Sequence, residues 1–100
     1  MDFLLCKNGP FGLSIHIPLE DISSQEEAIT KAKDIALVTK EGITLGLFTK
    51  DAEAICGWKV MKDNKLREEN IEEMQYLFGV TSNSFDFAKR QARERRKSQE

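Results

Sequence analysis

Histidine occurs once in these 100 residues and cysteine twice. A structural zinc site takes about four ligands. Cys6, Cys56 and His16 leave a Cys/His site one ligand short, so no metal or cofactor is expected. The two thiols lie far apart in sequence and no export signal is read at the start, which predicts free, reduced cysteines. No apolar run approaches the roughly 18 residues needed to span a bilayer. The opening Met-Asp-Phe-Leu-Leu-Cys-Lys carries an acid where a secretory leader needs positive charge. The expectation is a cytoplasmic protein with no membrane partner. Phosphate-binding loops, Ser-His-Asp arrangements, zinc-hydrolase helices and dinucleotide fingerprints are all missing.

What is present is a globular composition, 40% hydrophobic and 32% charged, on a chain long enough for one core. The charge is divided along the chain. Residues 1–80 hold nine Lys/Arg against fourteen Asp/Glu, a balance of −5, and residues 81–100 hold six against three, a balance of +3. This split predicts an α+β core over residues 1–80 and a basic C-terminal helix over 81–100, either part of the same domain or a projecting tail.

The elements follow from periodicity and turn chemistry. Residues 2–7 read as a strand, and Asn8-Gly9-Pro10 as a turn. Phe11, Leu13, Ile15 and Ile17 then alternate with Gly12, Ser14 and His16, the pattern of a second strand ended by Pro18. A three-residue loop would set Lys7 opposite Phe11, Leu5 opposite Leu13 and Phe3 opposite Ile15. Ser24 with Glu27 three residues later reads as a capping box. The stripe Ala28, Ile29, Ala32, Ile35 and Ala36 then predicts a helix from about Gln25 to Glu41, closed by Gly42. Ile43 to Thr49 and Ala54 to Met61 read as paired strands, Gly46 marking a bulge or a close backbone approach. Lys62-Asp63-Asn64-Lys65 reads as a polar turn, Glu68 to Phe78 as a helix, and a last helix starts near Phe85.

The order β-β-α-β-β-α-α predicts the α+β class. Four mainly antiparallel strands carry one helix on a face and two C-terminal helices. Because Leu4 and Cys6 make the other sheet face apolar too, that face is to be covered either by the C-terminal helices or by a second copy in a homodimer.

Residues 11–36 contain Phe11-Gly12-Leu13-Ser14-Ile15, then Pro18-Leu19-Glu20-Asp21, then Ser24-Gln25-Glu26-Glu27-Ala28 with Ala32 and Ala36. Over this quarter of the chain the pattern resembles the sheet-and-helix core of HicB-type antitoxins. The proline-glycine loop of that family after the second strand is missing. The resemblance implies a small α+β core and, as an expectation, a C-terminal DNA-binding element.

The residues that carry function are sought first in the tail. Lys89, Arg90, Arg93, Arg95, Arg96 and Lys97 form a cluster suited to phosphate neutralisation, to an acidic protein surface, or simply to the negative end of a helix dipole. No aromatic residue is interleaved among them, and a pI of about 5.5 lies well below that of most nucleic-acid-binding domains. Trp58 is the other candidate, as a protein-contact hot spot or as core. His16 falls opposite Asp2 in the register above, out of reach of Cys6, so no nucleophile pair is assembled. Glu68, Glu69, Glu72 and Glu73 read as a solvated helix face. The expected function is a small non-enzymatic binding or regulatory protein, an adaptor or inhibitor of a larger machine. Nucleic-acid binding through residues 89–97 is the alternative.

Overall fold

A computed structural model of the chain describes residues 1–8 and 14–99, with side chains as far as Arg95. Strands β1 (Phe3–Asn8) and β2 (Ser14–Leu19) lead into helix α1 (Gln25–Leu37). Strands β3 (Thr44–Thr49) and β4 (Ala54–Val60) follow, then a 3-10 turn at Lys62–Asn64, β5 (Leu66–Glu68), α2 (Ile71–Phe78) and α3 (Ser84–Gln99). All strands join one antiparallel sheet in the order β2-β1-β3-β4-β5. The α+β class and the three helices match the sequence reading, but the sheet has five strands, not four.

The fifth strand arises from backbone conformation. Asp63 and Asn64 both take positive φ, 64° and 60°, and among residues with a Cβ, Asp and Asn adopt this region most readily. Two such residues in succession fold the chain back sharply, so Leu66 pairs with Val60 and Glu68 with Trp58. The acidic run therefore begins in a strand. The helix starts only at Ile71, where the Asn70 side chain accepts the Glu72 N–H at 2.8 Å.

The first hairpin also differs in register. Lys7 lies opposite Ile15 and Asn8 opposite Ser14, a slip of four residues from the expected pairing. An even slip keeps every side chain on its face, so Phe3, Leu5 and Ile17 still share one side. Phe11, Gly12 and Leu13, expected in the second strand, lie outside the described residues. Pro18 sits within β2 rather than ending it, a position open to proline because β2 is an edge strand.

At the start of α1 the Ser24 hydroxyl accepts the Glu27 N–H at 3.2 Å. The Glu27 carboxylate accepts from Ser23, through both its backbone N–H and its hydroxyl. These Ser23 bonds hold the Glu27 carboxyl below its ordinary value. The helix ends at Leu37, short of Glu41. Val38 leaves helical geometry, and Gly42, with φ of 90°, lies in the turn that opens β3.

The sheet is buried on both faces. Phe3, Leu5, Leu45, Leu47, Trp58 and Val60 pack on one side against Ala28, Ala32 and Ala36 of α1. Leu4, Cys6 and Phe48 pack on the other against Met74 and Phe78 of α2 and Phe85 and Ala88 of α3. The apolar face that awaited either helices or a second copy is therefore closed by the chain's own helices. A homodimer formed through an open sheet face has no such face to use.

Close approach of α2 depends on two glycines. Gly46 and Gly57 are cross-strand partners in β3 and β4. A Cβ on Gly46 would lie 2.9 Å from the Phe78 ring, and one on Gly57 2.6 Å from Met74 Sδ and 2.9 Å from the Leu45 carbonyl. The close approach foreseen at Gly46 is this contact, and the bulge falls beside it, between Leu47 and Phe48.

Gly57→Ala should overpack this interface and cost about 1–3 kcal/mol, read as a lower urea midpoint. An unchanged or raised midpoint would show that α2 does not depend on the glycine floor.

Candidate partner-binding surfaces

Helix α3 is anchored at one end and cationic at the other. Phe85 and Ala88 are buried against the sheet. The Lys89 Nζ lies 3.0 Å from Glu20 Oε1 and 5.6 Å from the Phe85 ring centroid. Beyond this point Arg90, Arg93 and Arg95 are exposed, and among the described residues no ion pair to them is found. The backbone remains helical through Arg96 and Lys97, whose side chains lie outside the described set. Of the six basic residues read from the sequence, one is thus spent on the fold and three are displayed on its surface.

Trp58 is 3% exposed. It belongs to the core between sheet and α1, with the Lys33 ammonium 5.9 Å from its ring centroid. Its place is that of a packing residue, and it offers almost no surface to a partner.

The slipped hairpin register brings together two residues that the expected register kept apart. Cys6 and His16 are direct cross-strand partners. The pairing does not produce a thiolate, since burial pushes the Cys6 thiol up to about 12. Cys56 is likewise pushed up to about 11, chiefly by burial. It packs with the α1-side core while Cys6 packs on the α2/α3 side, so a disulfide between them would have to pass through the sheet.

His16 has a second consequence that the sequence did not signal. It sits at one wall of a surface groove of about 470 Å³, between β2 and α3. Ser14 and His16 line it from β2, Phe78 from α2, and Phe87, Gln91 and Arg95 from α3. The wall is partly apolar, with Phe87 58% exposed, and partly polar, with Arg95 as its charged group among the described residues. The His16 Nε2 is buried and has no hydrogen-bond partner among the described residues. This groove depends on α3 lying over the β2 edge, an arrangement that no local pattern encodes.

Elsewhere, Tyr76 and Leu77 on α2 are exposed apolar residues beside a second groove of about 460 Å³ rimmed by Lys59, Arg67, Glu72 and Glu73. Among the described residues there is no cluster of His, Cys, Asp and Glu able to hold a metal ion, and no helix long and apolar enough to cross a membrane.

Burial lowers the His16 pKa from its ordinary value, so the folded state favours the neutral ring and the unfolded chain binds the proton more readily. The stability this confers is present above about pH 6.5 and is lost as pH falls from there toward the folded-state value. Urea midpoints should therefore decline below about pH 6.5, and His16→Gln should remove that part of the decline. An identical pH profile in the variant would contradict the assignment.

Comparison of the chain with protein-family models, with curated proteins and with solved structures finds no match to any of them.

Proposed function

We propose that the protein is a small non-catalytic binding module that acts by protein–protein contact and presents the cationic half of α3 to an acidic partner surface. The observation that carries this reading is the division of α3. Its first turns are fixed by Phe85, Ala88 and the Lys89–Glu20 pair, while Arg90, Arg93 and Arg95 are exposed, Arg95 along the groove beside β2. A helix anchored in this way loses little further entropy when its charged end is bound.

The charge balance favours a protein over a nucleic acid as partner. The body behind the helix carries −5 over residues 1–80, and a duplex approaching along its full length would meet that charge as well as the arginines. An acidic patch on a folded protein is smaller and engages the helix end alone. Charge complementarity of this kind sets encounter rate and choice of partner more than final affinity. An adaptor or inhibitor of a larger assembly acts in this manner.

Placing the photo-crosslinker benzoylphenylalanine at Arg90 in the native cell should yield a conjugate that protease destroys and nuclease leaves intact. Arg93→Glu with Arg95→Glu should lower its yield about tenfold. A nuclease-sensitive conjugate would establish the nucleic-acid alternative instead, and a yield indifferent to charge reversal would overturn the role of α3.

A further inference from the structure

The sheet has an edge that no described strand pairs with. β2 is the outermost strand on its side, so its backbone groups alternate between those that meet β1 and those that face outward. The hydrogen-bond parity can be followed across the sheet. The Val60 N–H donates to the Ile43 carbonyl at 2.9 Å, and the Gly42 N–H donates to the Val60 carbonyl at 2.8 Å, so Val60 and, two residues back, Trp58 turn their polar groups toward β3. Trp58 pairs with Leu45, Gly46 with Cys6, Leu5 with Ile17 and Lys7 with Ile15. Alternating at each step, Leu5 and Lys7 bond to β2, and Ser14 and His16 are left with N–H and C=O directed away from the sheet. Pro18 gives the same answer independently. It has no N–H to donate, and two residues from His16 it occupies an outward position where none is required.

Among the described residues nothing bonds to these outward groups. An open edge of this kind is a template for another extended chain. Here it is walled by a helix. Ser84, Phe87, Gln91 and Arg95 recur at three- and four-residue intervals and form one stripe of α3 along the groove. That stripe spans roughly 16 Å at 1.5 Å per residue, the length of about five extended residues.

We propose that the outer edge of β2, walled by α3, takes an extended acidic segment of a partner protein as a sixth strand of the sheet. The proposal rests on the protein-contact reading above and specifies the form the partner takes. Main-chain bonds to Ser14 and His16 supply the affinity, and alternate side chains entering the groove supply the specificity. Phe78 and Phe87 receive an apolar side chain. The exposed Arg95 meets a carboxylate, and the unpartnered His16 Nε2 accepts or donates one polar contact. A second copy suits the edge less well. Pairing β2 with β2 would set two α3 helices side by side, each carrying Arg90, Arg93 and Arg95, and like charges at close range oppose that contact.

Selection of random displayed nonapeptides on the full-length chain tests this directly. Enriched peptides should be acidic, free of internal proline and rich in residues that favour strands. Their binding should shift the backbone amide resonances of Ser14 and His16 together with those of Phe87 and Gln91. Ser14→Pro, which removes an outward N–H and spares the β1 ladder, should weaken binding about tenfold or more. Arg95→Glu, an exposed position tolerant of replacement, should do the same for acidic peptides. N-methylation of alternate peptide amides should abolish binding, while methylation of the intervening ones leaves it intact. Acidic peptides that bind as helices to Arg90 and Arg93 without shifting Ser14 or His16 would overturn the sixth strand and leave the protein-contact reading standing. Failure to enrich any peptide at the groove would overturn the proposal. So would concentration-dependent dimerisation that produces the same shifts without peptide, which would assign the edge to a second copy.

Discussion

The arrangement of this molecule depends on burying a five-stranded sheet on both faces within 100 residues. That constraint is met by pairing bulky strand residues with small helix residues on one side and by clearing space in the strands themselves on the other. Toward α1, the leucines, Trp58 and Val60 come from the sheet and the helix contributes alanines, all fully buried. Toward α2, the relation is reversed. The sheet contributes Gly46 and Gly57, and the helix contributes Met74 and Phe78. The Phe78 ring also meets Phe48 edge-on, with centroids 6.0 Å apart, a geometry favoured by aromatic quadrupoles.

α3 completes the second face over β1 and β2, and this places its charge. Phe85 and Ala88 settle on the sheet next to Leu4 and Cys6, and the turns beyond them leave Arg90, Arg93 and Arg95 exposed, Arg95 on the groove beside β2. The same docking turns the β2 edge into one wall of a groove. Core packing and exposed positive charge therefore share a helix: its first turns finish the core, and its later turns display Arg90, Arg93 and Arg95.

The fold class, the faces of the first hairpin and the start of α1 were legible in the sequence because they rest on local periodicity and on Ser24 with Glu27. The fifth strand was hidden in a polar turn, since nothing in Lys62-Asp63-Asn64-Lys65 distinguishes a loop from a tight reversal until Asp63 and Asn64 take positive φ. The dense glutamates after it resembled a helix start and lay partly in a strand. The hairpin register escaped for a related reason. Pairing Lys7 with Phe11 and pairing Lys7 with Ile15 give the same inward faces, and only the second sets His16 against Cys6. The cationic end was legible as composition. The groove was not, because Ser14 and Arg95 are brought together only by helix docking, and Trp58 could be read as contact or as core until its burial was seen.

The central claim is that α3 is an anchored part of the fold and not a free tail. Native-state hydrogen exchange of its amides tests that claim most directly. If α3 docks as described, Ala88, Lys89 and Gln91 exchange only through openings nearly as costly as those that expose Leu4 and Cys6. Exchange of the whole helix at the rate of an unstructured peptide, with β1 still protected, would contradict the account.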